Sequence, residues 1–193
     1  MVVGDAKGCV HTVPVDKEGI REIRRSDKQS VEHASKAKGN CWVQDLKINK
    51  TGDNVAWGVH GGLSNIELAH IEQSHPFNLT KTQSINIGLS SSLLHLDWSV
   101  CNRYLQVNSQ SYELLFVDLH SKAQISASEV KDTQWQTVTC KFGFGVQGIW
   151  PGVGFNEVNS VVRSHDNKYL ATTEDSGLVK LFKYPCTKEH AQF

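Results

Sequence analysis

Leu93-Leu94-His95-Leu96-Asp97-Trp98-Ser99, followed by Arg103-Tyr104-Leu105, sets the reading of this chain, because the pattern returns as Val158-Asn159-Ser160-Val161-Val162-Arg163-Ser164 and Lys168-Tyr169-Leu170. The two copies superpose at a constant offset of 65 residues with no gap through Leu178. Val43-Gln44-Asp45-Leu46-Lys47-Ile48-Asn49, then Asn54-Val55, superposes on the first copy at an offset of 50. Each copy reads as a strand, a polar turn of four to five residues, a second strand, a Gly/Ser turn and a third strand. The N-terminus adds a broken copy, in which Asp5-Ala6-Lys7-Gly8 and residues 9–13 echo Asp175-Ser176-Gly177 and residues 178–182.

Working outward, the expected strands are 43–48, 55–60, 66–71, 93–98, 104–107, 114–119, 158–162, 169–173 and 178–184. Each is rich in β-branched, aromatic or leucine residues and bounded by Gly, Asn, Asp or Ser. No segment sustains a 3.6-residue apolar period over three turns; the nearest, 18–38, is mostly polar. Three-strand units with a fourth, weaker strand, spaced near the ~40–45 residues of WD40 repeats, point to an all-β chain. The expected fold is a partial WD40-type β-propeller of about three four-stranded blades plus a broken N-terminal blade. A blade cannot bury its own faces, so stacking on neighbours supplies the core. The expected division is 1–40, a remnant of a preceding blade and a polar connection; 41–90 and 91–129, blades; 130–156, an inter-blade insertion; 157–187, a last, incomplete blade; and 188–193, a tail.

The chain has 193 residues, and Lys+Arg and Asp+Glu both number 20. A general binder of nucleic acid or anionic surfaces carries a basic excess, so neither is an expected partner. No apolar run approaches the ~20 residues that span a bilayer, and no signal peptide is visible after Met1. The five cysteines are scattered with no C-x-x-C pair, as free thiols of a reducing compartment are. Cytoplasmic localisation is the expectation.

His95-Leu96-Asp97-Trp98-Ser99, Arg103-Tyr104-Leu105-Gln106, Gln147-Gly148-Ile149-Trp150-Pro151, Val158-Asn159-Ser160-Val161 and above all Val179-Lys180-Leu181-Phe182-Lys183-Tyr184-Pro185-Cys186 resemble the echinoderm microtubule-associated protein-like family. More narrowly, residues from about 43 to 186 look like the second half of that family's C-terminal propeller. The resemblance implies a non-enzymatic scaffold of the microtubule cytoskeleton, with tubulin as partner in the full-length context and no cofactor. The chain departs from the pattern too. The Gly-His and Trp-Asp dipeptides of WD40 repeats are absent, and equivalent strand ends read Val117-Asp118 and Phe182-Lys183. The family's hydrophobic motif, coiled coil and basic region are missing, and the chain stops at Phe193 where the family would continue into its closing blade. A fragment of about three blades is expected, with exposed blade edges open to self-association.

Rival chemistries are weak. Gly143-Phe144-Gly145-Val146-Gln147-Gly148 matches G-x-G-x-x-G, but Ile149-Trp150-Pro151-Gly152 follows, and a dinucleotide site needs a helix there. A Gly-rich loop packed by Phe142, Phe144 and Trp150 is the expectation. The nine histidines form no H-x-x-x-H pair, so no metal site is expected. His95 reads as a hydrogen-bonded packing residue, and His165-Asp166 falls in a hairpin turn that Asp166 caps. No Ser-His-Asp or Cys-His set assembles, so no catalytic residue is assigned. Trp98 reads as core. Trp150, beside Pro151, has the best claim of the tryptophans to a partner contact. Arg21, Arg24, Arg25 and Lys28, interleaved with Glu18, Glu22, Asp27 and Glu32, read as a solvated loop or as contacts for an acidic partner. Besides the microtubule scaffold, two alternatives stand: a generic propeller adaptor for peptides, and a nucleotide-binding enzyme built on the Gly-rich loop.

Overall fold

A computed structural model describes residues 1–13, 30–31, 42–61, 65–72, 78–150, 157–189 and 191–193. Arg21, Arg24, Arg25 and Lys28 therefore lie outside the described residues, as does Cys41. The fourteen described strands form four antiparallel sheets. Sheet I holds β1 (Val2–Gly4), β2 (Val10–Thr12) and β3 (Ser30–Val31). Sheet II holds β4 (Trp42–Ile48), β5 (Asn54–His60), β6 (Asn65–Glu72) and β7 (Asn78–Asn86). Sheet III holds β8 (Leu93–Trp98), β9 (Tyr104–Ser109), β10 (Leu114–Asp118) and β11 (Ala123–Ile125). Sheet IV holds β12 (Val158–Arg163), β13 (Tyr169–Glu174) and β14 (Val179–Lys183). The only described helical turns are short 3₁₀ turns, at Ala127–Val130 and Phe144–Ile149.

Each sheet is a meander, with sequential strands paired in order. The offsets of 50 and 65 reappear as local geometry. The first strands of sheets II, III and IV carry a register shift at matching places: Val43/Asp45, Leu93/His95 and Val158/Ser160. Such a bulge bends the strand and increases its twist. The following turns match as well. Gly52, Asn102 and Asn167 occupy the left-handed position with φ of 78°, 61° and 58°, where Gly or Asn is favoured. The amides of Asn49, Ser99 and Ser164 close these turns by donating to the carbonyls of Asn54, Tyr104 and Tyr169 at 2.8–3.0 Å. In two of them the serine hydroxyl also accepts from the amide of Tyr104 (2.8 Å) or Tyr169 (3.0 Å). Ser164 donates to Asp166, which also accepts from the Lys168 amide, so Asp166 caps its turn as expected.

The next turn repeats three times. Asp5, Ser109 and Glu174 bond across it to Cys9, Glu113 and Leu178, with Gly8, Tyr112 and Gly177 at positive φ. That places β1 in the position of β9 and β13, the second strand of a blade. Sheet I thus holds second, third and fourth strands, and sheet IV holds first, second and third.

The sheets pack face to face, and three apolar clusters fill the seams. Between sheets I and II, Val10 meets Val55, Trp57, Val59 and Ile71. Between II and III, Ile66, Leu68 and Ile85 meet Leu96, Trp98 and Val107. Close approach explains two glycines here. A Cβ on Gly4 would lie 2.4 Å from Val43, and one on Gly58 would lie 2.6 Å from Leu93. Val43 and Leu93 are themselves repeat equivalents. Trp98 is buried, as expected for an inner strand, and its indole donates to the Lys47 carbonyl across the seam (2.9 Å).

Candidate interaction surface

The seam between sheets III and IV is built differently, because a crossing segment, residues 133–150, fills it. The segment enters beside β8: Val100 donates to the Gln134 carbonyl and Gln136 to the Trp98 carbonyl, both at 2.8 Å, so that Ser99 and Trp135 form an antiparallel bridge. It then runs over the face of sheet III, anchored by Asp97. This fully buried carboxylate accepts from Thr137 Oγ1, from the Thr139 amide (2.9 Å) and hydroxyl (2.9 Å), from the Cys140 amide (2.9 Å) and from Gln106 Nε2 (3.0 Å). Burial by itself raises the Asp97 pKa, but the hydrogen bonds from Thr137, Cys140, Thr139 and Gln106 prevail and hold it below the ordinary carboxylate value. Asn108 stands where Gly4 and Gly58 stand in sheets I and II, and its Oδ1 accepts from the Phe142 amide (3.1 Å). Where sheets touch directly the position is glycine; where the segment intervenes it is a hydrogen-bonding side chain.

The other side of the segment is apolar. Val138, Val146 and Ile149 join Val158, Val161, Leu170 and Phe182 in the core beneath sheet IV. Burial drives the Cys140 thiol well above its usual pKa, with the Asp97 charge adding to the effect, so this cysteine is inert. His95, expected to be a hydrogen-bonded packing residue, is half-buried in β8. Burial pulls its imidazole below the ordinary pKa against the opposing charge of Asp45.

Trp150 is half-buried rather than freely presented. Its ring stacks on Phe142 (centroids 5.1 Å apart, planes within 9°), and its indole N–H donates to the Lys141 carbonyl (3.0 Å). Phe142 and Trp150 stack on each other at the two ends of the Gly-rich loop, whereas Phe144, expected to pack with them, is 76% exposed. The 3₁₀ turn directs Val146 and Ile149 inward and leaves the Phe144 ring on the outer side. Two of the loop's amides and two of its carbonyls are engaged within the chain. Val146 donates to the Gly143 carbonyl (3.1 Å), Gly148 donates to the Cys186 carbonyl and Cys186 donates to the Gly145 carbonyl (both 2.8 Å).

The turns that follow the first strands of sheets II, III and IV converge on a cleft of about 670 Å³ lined by Lys50, Val100, Gln136, Arg163, His165 and Tyr184. Arg163 organises its wall. The guanidinium donates to the carbonyls of Trp135 (2.8 Å) and Gln136 (3.1 Å) and lies over the Tyr184 ring (5.2 Å). Loop tips on a rigid scaffold, offering cationic, aromatic and amide groups, suit recognition of polypeptide. Among the described residues no group of three His, Cys, Asp or Glu side chains is placed to hold a metal ion. Sequence reasoning gave no role to Asp97, Asn108 or Arg163. The available signal was a carboxylate at the position where the next copy has Val162, since a charge in a core position demands partners.

Face-to-face antiparallel sheets on a repeated bulge-and-turn template define a WD40-type β-propeller segment. A solved structure agrees: the C-terminal WD40 domain of Sif2 superposes on 95% of this chain and 54% of its own, with a TM-score of 0.60 at 10% identity. The sequence profile of the echinoderm microtubule-associated protein second β-propeller matches residues 3–193, and the chain belongs to that family. Relatives include echinoderm microtubule-associated protein-like 2 of Rattus norvegicus, 45% identical over 155 residues covering 79% of this chain and 23% of the relative. Echinoderm microtubule-associated protein-like 4 of Xenopus laevis is 45% identical over 107 residues, 54% of this chain and 12% of the relative. The chain therefore spans less than a quarter of these relatives.

Proposed function

We propose that this chain is a non-catalytic interaction module of a microtubule-associated protein, that it acts in the cytoplasm on the microtubule cytoskeleton, and that its partner in the full-length context is tubulin. The observation that carries the reading is the family match over residues 3–193. The bonds that tie Gly145 and Gly148 to Cys186 support a module rather than a nucleotide enzyme, because a pyrophosphate on this loop would have to displace the one made by the Gly148 amide. Residues 41–90, 91–129 and 157–187 are read as its blades and 130–156 as the insertion between the last two.

Charge sets the expected strength. Tubulin's outer surface is acidic, and a tight binder would bring concentrated positive charge; this chain has a formal net charge of zero. Co-sedimentation with microtubules is therefore expected to be weak and salt-sensitive, carried by Arg21, Arg24, Arg25 and Lys28, with Trp150 a lesser contact because its ring is already stacked on Phe142. Replacing the four basic residues with Glu should abolish it. Binding that survives both those replacements and high salt would mean that a sheet surface recognises tubulin, against the argument from charge. A peptide adaptor without a cytoskeletal role is the second reading, favoured by the cleft beside Arg163. Pull-down of non-tubulin peptides that is lost in Arg163→Ala, with no co-sedimentation, would support it instead.

A further inference from the structure

The cleft where the turns of sheets II, III and IV meet has a one-sided charge. The chain carries 20 acidic and 20 basic residues, yet Lys50, Arg163 and His165 line the cleft and, among the described residues, no Asp or Glu does. The carboxylates of the same turns are drawn into them instead. Asp53 accepts from Asn49 (2.8 Å) and Asn54 (3.0 Å), and Asp166 from the Ser164 hydroxyl (2.6 Å) and the Lys168 amide (3.2 Å).

The two described arginines differ in the same sense. Arg103 pairs with Asp118, whereas half-buried Arg163 meets no carboxylate among the described residues. Its bonds to the Trp135 and Gln136 carbonyls both come from Nη2, so the N–H groups on Nε and Nη1 remain for an acceptor. Those bonds and the Tyr184 ring fix the direction of the guanidinium before any ligand arrives. A partly desolvated cation held without a counter-charge suits a carboxylate brought by a partner.

We propose that this cleft takes an acidic polypeptide segment, with Arg163 and Lys50 meeting its carboxylates. This occupant rests on the peptide-adaptor reading of the cleft and narrows it to one class of chain. Two features select a polypeptide over a small anion. The volume of about 670 Å³ is far more than one inorganic ion fills, and Val100 and Trp135 add apolar wall. Gln136, in the same wall, keeps Oε1 buried without a hydrogen-bond partner; rotation about its soft terminal torsion turns that acceptor toward a peptide N–H. Lys50 and His165 are exposed at the mouth, so the attraction is screened by salt.

Fluorescence anisotropy of labelled hexaglutamate with the purified chain tests this. Binding is expected at low salt and should be lost at about 0.5 M salt. It should weaken about threefold or more in Lys50→Glu and about tenfold or more when His165→Glu is added. Both side chains are exposed, so circular dichroism of these variants should match the parent. Lys122→Glu makes the same change of net charge in an exposed turn outside the cleft and should weaken binding by less than about twofold. Equal losses in Lys50→Glu and Lys122→Glu, or binding that persists in the double variant, overturn the placement in the cleft. Equal binding of a Gly-Ser peptide of the same length keeps the adaptor reading and overturns the preference for acidic chains. Displacement by inorganic phosphate at equal concentration means a simple anion site and overturns the polypeptide. Binding of neither peptide overturns this occupant and the adaptor reading together.

Discussion

Sheets III and IV share one template at an offset of 65 residues, yet their outer faces differ in chemistry where first and second strands pair at their centre. Asp97 becomes Val162, Gln106 becomes Ala171, Asn108 becomes Thr173 and Phe116 becomes Leu181. In sheet III the polar set is buried beneath the crossing segment, with Phe116 stacked on Trp135 (centroids 6.0 Å apart). In sheet IV Val162 and Leu181 are open to solvent. The second strands record the difference along their length: β9 is buried on both faces beyond Tyr104, while β13 alternates. Strand and turn are thus properties of the template, whereas the chemistry of a face follows from what lies against it. Polar groups stand where the crossing segment's backbone and hydroxyls need acceptors, and that requirement is absent from the open face of sheet IV.

Breaking the covered face should have the largest effect. Asp97→Ala leaves the donors of Thr137, Thr139, Cys140 and Gln106 without their acceptor in a buried site. At about 1–3 kcal/mol for each unsatisfied group, partly relieved by relaxation, a loss of roughly 3–5 kcal/mol in urea denaturation is expected. Val162→Ala, at the equivalent position of sheet IV, should change stability by less than about 0.5 kcal/mol, as exposed positions do. Equal costs at the two sites would remove the distinction between the faces.

A smaller effect is expected where the crossing segment meets the tail of sheet IV. A Cβ on Gly148 would lie 2.3 Å from the Lys188 carbonyl oxygen, a backbone atom that cannot swing aside. Gly148→Ala should cost about 1–3 kcal/mol by overpacking, read as a lower denaturation midpoint at an unchanged slope.

The comparison sharpens further at the rim. Arg103 donates to both carboxylate oxygens of Asp118 (3.1 and 2.8 Å), and this pairing, with the His120 amide, lowers the Asp118 pKa from 3.8 to about 2. A carboxyl group with a lowered folded-state pKa contributes stability above its unfolded value and loses it as pH falls toward the folded value. Acid titration of stability between about pH 4 and pH 2 should therefore show a loss that Arg103→Ala flattens. The same two positions in sheet IV are Lys168 and Lys183, so the pair has no counterpart there. Lys183→Asp should create one, raising stability by about 0.2–1 kcal/mol at low salt and by less at high salt.

The template was legible because turns and bulges are local. Offsets read from 93–105 and 158–170 located the first and second strands of sheets II to IV, and the Gly8 and Gly177 echo aligned sheet I with them. Fourth strands were not legible. β7 reads Asn-Leu-Thr-Lys-Thr-Gln-Ser-Ile-Asn and buries Leu79 and Ile85 only, and β11 has three residues. An outer strand covered on one side carries too few apolar residues to announce itself. Nor was the role of the crossing segment legible, since contacts from Asp97 to Thr137 and Cys140 span about forty positions and follow no period. Phe144 misled for a related reason: an aromatic beside glycines resembles packing, and only the inward side of the 3₁₀ turn decides which rings are buried.

Hydrogen exchange on the dilute, monomeric chain tests the central contrast most directly. The account predicts that the amides of Leu105, Gln106, Val107 and Asn108 in β9, enclosed on both faces, exchange only through global unfolding. Those of Val179, Lys180 and Leu181 in β14, with one face open, should exchange orders of magnitude faster. Equal protection of the two strands would contradict it, because sheet IV would then be covered by the chain itself.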